Sequence, residues 1–379
     1  MSNRTIIDIY VLQTVPPSNL NRDDTGSPKT AIYGGVRRAR VSSQAWKRAA
    51  RIAFSQWLDQ SALGMRTKRV VELLAEHIRT KSPEIAEDRA LELGRLVFDA
   101  AGIKVTAPRG AGKETPKPEE SGYLLFLSRR QLDQLAEAAI SANGADDPKA
   151  ALKAAGLKKV LDAEHSVDIA LFGRMVAEAT DLNVDAAAQV AHALSVHPVE
   201  SEFDFYTAVD DHKQRDEAED AGAGMIGTVE FNSSTLYRYA TVDANRLLEN
   251  LGQVEATGAA VEAFVNAFVL SMPTGKQNTF ANRTLPDAVV VAIRDSQPVN
   301  LVGAFEDAVT DVPRLAAASE RLVDQAKSVD RNFGTTPIST WVTTTRATAS
   351  LAALGETVTF GELVRAVGST VRERLMGAR

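Results

Sequence analysis

The chain has 379 residues, of which 44% are hydrophobic and 24% charged, with a formal net charge of -6 and no cysteine. This length exceeds what one hydrophobic core usually supports, so we expect one large domain with insertions or two to three modules. The composition excludes wholesale disorder, and the missing cysteines exclude disulfides and thiolate chemistry. No apolar stretch approaches the roughly 20 residues that span a bilayer and no signal peptide is visible, so we expect a cytoplasmic protein without a membrane partner.

Charge is unevenly distributed along the chain. Residues 25–58 contain seven Lys or Arg and no acid, whereas residues 200–220 contain nine acids. Opposite charges in two segments of one chain can make neighbouring copies electrostatically complementary.

The first elements follow from local composition. Residues 5–13 are rich in Ile, Val and Tyr and predict a buried strand that ends at Pro16 and Pro17. A long loop is expected over residues 18–35, and its length is typical of functional or mobile loops. Ser42 and Ser43 are good N-caps for a following helix.

The rest of the chain mixes helical and strand patterns. Residues 59–182 are rich in Ala, Leu and Glu and predict a helical insertion, which contains a polar loop over residues 106–122. Residues 190–196 fit a strand or an alanine-rich helix. A loop or hairpin over residues 203–227 precedes strands at 228–241 and 287–294. Interspersed rather than alternating elements favour an α+β fold.

The helix after Ser43 carries the clearest functional pattern. At about 100° per residue, Gln44, Lys47, Arg48 and Arg51 share one face, and Trp46 lies on the other. A row of donors without an acid fits a phosphate backbone, and a solvated polar face is the alternative. The preceding cations strengthen the phosphate interpretation; they are Arg37, Arg38 and Arg40.

Other motifs indicate chemistry less clearly. Residues 272–278 and 110–114 superficially resemble phosphate loops but lack parts of a Walker motif, so nucleotide hydrolysis is not expected. Lys276, Gln277 and Asn278 can donate to phosphates or base edges, or form a surface turn. The five histidines have no metal-ligand spacing, and we expect no cofactor. The acid pairs Asp23-Asp24 and Asp210-Asp211 could hold Mg²⁺ for phosphodiester cleavage, although acid pairs in loops are usually solvated.

A set of motifs, in order along nearly the whole chain, resembles the CasC family, whose members form the backbone of the type I-E CRISPR surveillance complex, Cascade. The motifs are residues 21–24, 31–44, 47–48, 168–175, 206–211, 237–240 and 273–278.

This resemblance implies an RRM-like (ferredoxin-like) palm with a helical fingers insertion and a protruding thumb. Mapped onto this chain, the palm comprises residues 1–58, 183–198 and 231–379, the fingers comprise residues 59–182, and the thumb comprises residues 199–230.

The resemblance also implies roles for individual residues. Contacts to the guide backbone are implied for Lys29, Ser42, Gln44, Lys47, Arg48 and Arg51. From the residue patterns we also assign RNA binding to Arg22, Arg37, Arg38, Arg40, Lys276, Gln277 and Asn278. Met175 would abut guide bases at a kink, and Tyr206 with Thr207 would displace a base. The family commonly has phenylalanine where this chain has Tyr206, so the wedge keeps its size and gains a hydroxyl.

The implied function is a non-catalytic scaffold that polymerises head to tail along a CRISPR RNA and presents it to target DNA. The implied partners are the CRISPR RNA, the target DNA, further copies of the chain, and the other Cascade subunits: the large, small, 5′-end and 3′-end crRNA-binding subunits. Two alternatives remain: a metal-dependent RNA endonuclease of the type III kind that uses Asp23 or Asp24, and an acidic protein-interaction module.

Overall fold

A computed structural model describes residues 4–108, 117–176, 179–208 and 225–377. The chain divides into two compact units. Unit 1 comprises Met1–Ala53, Val190–Thr241 and Val261–Arg379, and unit 2 comprises Phe54–Gln189 and Val242–Ala260. Relative to the predicted fingers, unit 2 additionally contains residues 54–58, 183–189 and 242–260.

Strands occur in both units. In chain order the strands of the described residues are β1 (Ile6–Ser18), β2 (Thr30–Tyr33), β3 (Val36–Val41), β4 (Gly64–Thr67), β5 (Val105–Thr106), β6 (Glu120–Ser121), β7 (Leu125–Ser128), β8 (Ala188–Val190), β9 (Ala193–Ser195), β10 (Glu202–Ala208), β11 (Met225–Asp243), β12 (Ala288–Arg294), β13 (Ser339–Thr344) and β14 (Glu356–Thr357).

The α-helices of the described residues are α1 (Ser43–Ala53), α2 (Val70–Lys81), α3 (Glu87–Ala100), α4 (Arg129–Asn143), α5 (Pro148–Ala154), α6 (Leu157–Leu161), α7 (Val167–Phe172), α8 (Ala244–Leu251), α9 (Val254–Leu270), α10 (Gln277–Phe280), α11 (Arg314–Phe333) and α12 (Phe360–Gly377). Short 3₁₀ helices occupy Phe54–Gln56, Gln60–Ala62, Thr180–Leu182, Val302–Phe305 and Arg346–Leu354. Among these described helices, none combines the length and the apolar character that crossing a bilayer requires.

Unit 1 is built on one large sheet with the strand order β14-β13-β12-β1-β11-β9-β3-β2. Its four central strands lie side by side in the order β12-β1-β11-β9. When they are numbered by their order in the chain (β1, β9, β11, β12), this arrangement is 4-1-3-2. The chain makes α1 between β1 and β9, and between β11 and β12 it makes α9, whose residues from Val261 onward belong to unit 1. This β-α-β-β-α-β arrangement is the ferredoxin-like core of an RRM-like fold. The α+β prediction is therefore confirmed.

Burial explains the central strands. Every residue of β12 is buried, and β1 is buried from Ile6 through Gln13. These strands pair antiparallel from Ile6 opposite Arg294 to Leu12 opposite Ala288. The predicted end of β1 at the prolines is wrong, because the strand continues to Ser18. Pro16 and Pro17 lie beyond the ladder with β12, where a missing N–H breaks no bond to that strand.

The expected loop over residues 18–35 is also only partly correct. Thr30–Tyr33 forms β2 and pairs with Val36–Val41, with Gly34 and Gly35 at the turn. Both glycines have positive φ, at 58° and 77°. A Cβ on Gly34 would lie 1.6 Å from the Glu306 carbonyl oxygen, so this turn packs too closely for any side chain. The loop prediction missed the hairpin because β2 is short.

Unit 2 is largely helical, as the composition of residues 59–182 predicts. Its core is formed by apolar side chains of α2 to α6, with Leu74, Leu93 and Leu135 fully buried. Helix α4 begins with a capping box, in which the Ser128 side chain and Gln131 bond reciprocally to each other's backbone. The strands β4 and β7 pair antiparallel beside this core.

The ambiguous residues 190–196 contain no helix: Val190 ends β8, and Ala193–Ser195 forms β9. The described residues of the predicted thumb form the antiparallel pair β10–β11. Three features of the sequence lie outside the described residues: the glycine-lysine segment 110–114, the pair Asp210-Asp211, and His212.

Candidate nucleic-acid interface

Asn21 organises the basic surface of unit 1. Its carbonyl oxygen accepts a hydrogen bond of 2.9 Å from the Lys29 backbone N–H. Its side-chain Oδ1 accepts another of 2.9 Å from the Ser42 N–H. The Arg40 N–H in turn donates to the Lys29 carbonyl at 2.9 Å. Lys29, Arg40 and Ser42, to which the sequence assigned one function, are therefore neighbours. We call the surface that these residues form around Asn21 the Asn21 surface.

The segment 273–278 joins this surface from far along the chain. A Cβ on Gly275 would lie 2.2 Å from the Leu20 carbonyl oxygen, so the two backbones are in close contact. Lys276 follows in a left-handed conformation, with φ of 49°, and Gln277 and Asn278 are exposed in α10. The end of α10 packs Phe280 against Phe231, with ring centroids 5.6 Å apart.

The basic helix has the predicted amphipathic form. Ser42 is its N-cap, and its Oγ accepts from the Ala45 N–H at 3.3 Å. Trp46 is buried on one side, and Gln44 and Arg48 are exposed. Lys47 and Arg51 are half-buried, and burial lowers the pKa of Lys47. The exposed side of α1 therefore presents donors beside the Asn21 surface.

The predicted RNA contact by Arg38 is wrong. Its side chain is 0% exposed, because alternation along β3 turns it into the unit while Arg37 faces outward. Nη1 donates to the Ser195 carbonyl at 3.0 Å, and Nη2 donates to the carbonyl of Phe305 at 2.9 Å. Nε also donates to the Tyr33 carbonyl at 3.2 Å. Arg38 is therefore a structural arginine that ties the hairpin to the unit.

Arg37 and Arg22 are exposed, whereas Arg40 is half-buried and already engaged. Its Nε donates to the Thr30 carbonyl at 3.1 Å, and its Nη1 lies 3.2 Å from Nδ1 of His192. The pKa of His192 is lowered by burial and then by the charges of Arg40 and Lys29. His192 is thus a further member of the surface, which the sequence did not indicate because it follows β8, far from the other motifs.

The predicted wedge residues lie on exposed positions. Met175 in unit 2 is 82% exposed, and Tyr206 on β10 is 38% exposed. Tyr206 is paired across the ladder with Gly227, where a Cβ would lie 2.4 Å from the tyrosine hydroxyl. The tyrosine ring therefore lies over the glycine. Thr207 is also exposed but points to the opposite face of the ribbon, so one base cannot be held between them by this strand alone.

The opposite face of the hairpin carries an apolar row that the sequence analysis did not single out. Phe203 and Phe205 on β10 are 64% and 65% exposed, and Ile226 on β11 is 61% exposed. The signal for this row was the alternation in Glu202–Phe205, where Phe203 and Phe205 alternate with acidic residues.

Asp23 is used within its own loop. Its Oδ1 accepts from the Thr25 hydroxyl at 2.7 Å and from the N–H groups of Thr25 and Ser27 at 3.0 Å. The Thr25 hydroxyl, which is the largest cause, holds the pKa of Asp23 below its usual value. Among the described residues, no cluster of three His or acidic residues could hold a metal ion.

These features define an α+β protein with a ferredoxin-like core and a cationic, hydrogen-bond-donating surface suited to a polyanion. Residues 7–366 match the model of a family described as CT1975-like protein. The chain therefore belongs to the CT1975-like protein family.

Solved structures contain chains similar to this one. One similar chain comes from a structure described as "CRISPR RNA-guided surveillance complex, pre-nicking". The two chains are 35% identical, with a TM-score of 0.84, and the match covers 97% of this chain and 100% of that one. Another, from a "CRISPR RNA-guided surveillance complex", is 30% identical, with a TM-score of 0.73 over 96% and 99%. No curated protein sequence matches this chain.

Proposed function

We propose that this chain is a guide-RNA-binding subunit of a CRISPR RNA-guided surveillance complex, of the CasC kind that forms the backbone of type I-E Cascade. In this proposal several copies bind head to tail along one CRISPR RNA and present it for pairing with target DNA. The other partners are the large and small subunits and the subunits at the two ends of the guide. The assembly acts in the cytoplasm.

The convergence of distant motifs on the Asn21 surface carries this proposal. Three separate segments, 22–29, 40–51 and 273–278, meet at Leu20 and Asn21, through the Asn21 carbonyl, the Asn21 side chain and the Leu20 backbone respectively. Each brings cations or amide donors, as a site for a phosphate backbone requires. The similar chains from structures described as CRISPR RNA-guided surveillance complexes support the same interpretation, since they cover almost all of this chain.

The proposed subunit is not itself a nuclease. The hydrogen bonds to Asp23 account for one of its carboxylate oxygens, which supports a role in holding the loop. Incubating the guide-loaded complex with complementary RNA and Mg²⁺ tests this directly. Regular cleavage that is lost in an Asp23→Ala/Asp24→Ala variant would establish the endonuclease alternative instead.

The principal test is charge reversal on the basic helix. Purified with its neighbouring subunits, the Lys47→Glu/Arg51→Glu variant should retain less RNA and assemble poorly, because two cations become anions beside the guide phosphates. The matched control is Lys327→Glu/Arg331→Glu, which has the same spacing on exposed positions of α11. Equal RNA content in both variants and the wild type, with folding verified, would contradict α1 as the binding surface. Complexes that contain no RNA in any form would favour the acidic interaction module.

A further inference from the structure

A small cavity in unit 1 lies next to Lys29 and Arg40 of the Asn21 surface. Three buried polar side chains line it: Ser18 at the end of β1, and Asn232 and Ser234 on β11. Their exposures are 4%, 6% and 7%. Asn232 and Ser234 are two residues apart on one strand and therefore face the same side. The cavity is thus a polar pocket built by adjacent strands of the central sheet.

The polar groups of this cavity are available for hydrogen bonding. Within the residues that the structure describes, the side chains of Ser18, Asn232 and Ser234 neither donate nor accept a hydrogen bond. Their oxygen and nitrogen atoms are not among the fully enclosed polar atoms without a partner, so they face the open space of the cavity and can bond to a group that enters it. Two hydroxyls and an amide can both donate to that occupant and accept from it.

The size of the cavity restricts the occupant. The space amounts to about 20 Å³, which is enough for one water-sized group. A phosphate group or a nucleobase is too large to enter, whereas a single hydroxyl fits. A hydroxyl is also both a donor and an acceptor, as the surrounding groups are.

The less buried lining residues include Lys29 and Arg40, which belong to the Asn21 surface. These cations would hold phosphates immediately beside the opening. In a nucleic acid, the hydroxyl that lies beside a backbone phosphate is the 2′-hydroxyl of ribose, which DNA lacks.

We propose that this cavity receives one ribose 2′-hydroxyl of the bound guide strand, so that the chain selects RNA over DNA through Ser18, Asn232 and Ser234. This rests on the proposed function, since it presupposes that a guide strand lies on the Asn21 surface. It adds a sugar-recognition site to a surface otherwise described by contacts to phosphates.

The test measures binding of the chain, co-purified with its neighbouring subunits, to three single strands of one sequence: ribose, 2′-deoxy and 2′-fluoro. The 2′-fluoro strand retains the sugar geometry of RNA but cannot donate a hydrogen bond. One lost hydrogen bond is worth about 0.5–1.5 kcal/mol, which is roughly a 2- to 10-fold loss of affinity for each bound copy. Wild-type protein should therefore bind the ribose strand more tightly than either substituted strand.

The Ser234→Val variant fills the cavity with a methyl group and removes a hydroxyl. Its binding to the ribose strand should fall to the level of the 2′-fluoro strand, with an unchanged dependence on salt, because no cation is altered. Ser233→Val is the matched control, since Ser233 is the exposed neighbour on the other face of β11. Should Ser234→Val fold poorly, Ser234→Ala removes the hydroxyl without adding bulk.

The outcomes separate this inference from the proposed function. The inference is overturned, with RNA binding intact, if wild-type protein binds all three strands equally or if a Ser234 variant discriminates between the strands as the wild type does. Either result would show that the cavity holds only water. Failure to bind any strand would overturn the proposed function and the inference with it.

Discussion

The guanidinium of Arg238 lies 3.7 Å from the centroid of the Trp46 ring, inside unit 1. Both side chains are 1% exposed. Nη1 of Arg238 also donates to Gln13 Oε1 at 2.6 Å, and Nη2 donates to the Phe268 carbonyl. Burial lowers the pKa of Arg238 to about 9, so the group remains a cation at neutral pH. The basic helix α1 is thereby fixed on β11 by a buried cation–π contact.

Removing the indole should release the basic helix. We expect Trp46→Ala to lower the free energy of unfolding by about 3–5 kcal/mol and to weaken RNA binding, because α1 loses its anchor. Trp46→Phe keeps an aromatic face for Arg238 and should lose much less. Urea unfolding measures the first effect and filter binding the second. A Trp46→Ala protein within 1 kcal/mol of the wild type would show that the contact does not hold the helix.

The neighbours Arg37 and Arg38 should respond oppositely to the same substitution. Arg37→Met removes an exposed cation, so we expect a free energy of unfolding within about 0.5 kcal/mol of the wild type. The slope of log affinity for RNA against log salt concentration should fall by about 1, because one phosphate contact is lost. Arg38→Met leaves buried carbonyls without a donor and should cost about 1–3 kcal/mol. Urea unfolding and salt-dependent binding of both proteins check this. Equal stabilities would contradict the structural role of Arg38.

The close approach at Gly275 should be intolerant of a side chain. In Gly275→Ala the new Cβ meets the Leu20 carbonyl oxygen, so the segment 273–278 must move away from the Asn21 surface. We expect a loss of about 1–3 kcal/mol and weaker RNA binding. Gly122→Ala is the control, because a Cβ there has nothing within 4 Å. Binding that is unchanged in Gly275→Ala would remove this segment from the proposed interface.

Periodicity explains how much of the fold the sequence could predict. The buried run in β12 and the spacing of Gln44, Lys47 and Arg48 on α1 are local patterns, and both predictions agree with the structure. The β2–β3 hairpin was missed because four residues carry too little pattern to outweigh the surrounding loop composition.

Burial by distant segments explains what could not be predicted. Arg38 lies in a run of cations next to the exposed Arg37, and apart from Tyr33 its carbonyl partners come from residues 195, 305 and 306. Likewise, the cavity beside Lys29 requires Ser18 and Ser234 to meet, more than 200 residues apart in the chain. Neither relationship has a local signal.

His197 should make stability depend on pH. Its Nε2 accepts from the Thr235 N–H at 3.1 Å, which requires the neutral ring with the proton on Nδ1, towards the Pro198 carbonyl. Burial is the main cause that lowers the pKa of His197, with Arg314 and Arg38 nearby adding to it. Since the pKa in the folded state lies below that of the unfolded state, stability is complete above about pH 6.5 and falls as the pH drops through the folded value.

We therefore expect the free energy of unfolding to decrease between about pH 7 and about pH 5. In His197→Gln the amide can accept from Thr235 without titrating, so the decrease should be smaller. Urea unfolding at several pH values measures both slopes. His165 and His192 also have lowered pKa values, so a residual slope is expected in the variant. Identical slopes in the two proteins would contradict this account of His197.

The contact between Tyr206 and Gly227 predicts how the hairpin acts on the guide. If the ring separates bases, Tyr206→Ala should leave the fold intact but change the regular spacing of nuclease protection along the guide, because nothing then unstacks the bases. Tyr206→Phe keeps the ring and should preserve the pattern. Gly227→Ala places a methyl group against the ring and should alter the pattern without removing the aromatic side chain. Nuclease footprints of the assembled complexes compare all three. An unchanged footprint in Tyr206→Ala would exclude the wedge. If the footprint changes in Tyr206→Ala and Gly227→Ala but not in Tyr206→Phe, the aromatic ring over Gly227 sets the spacing.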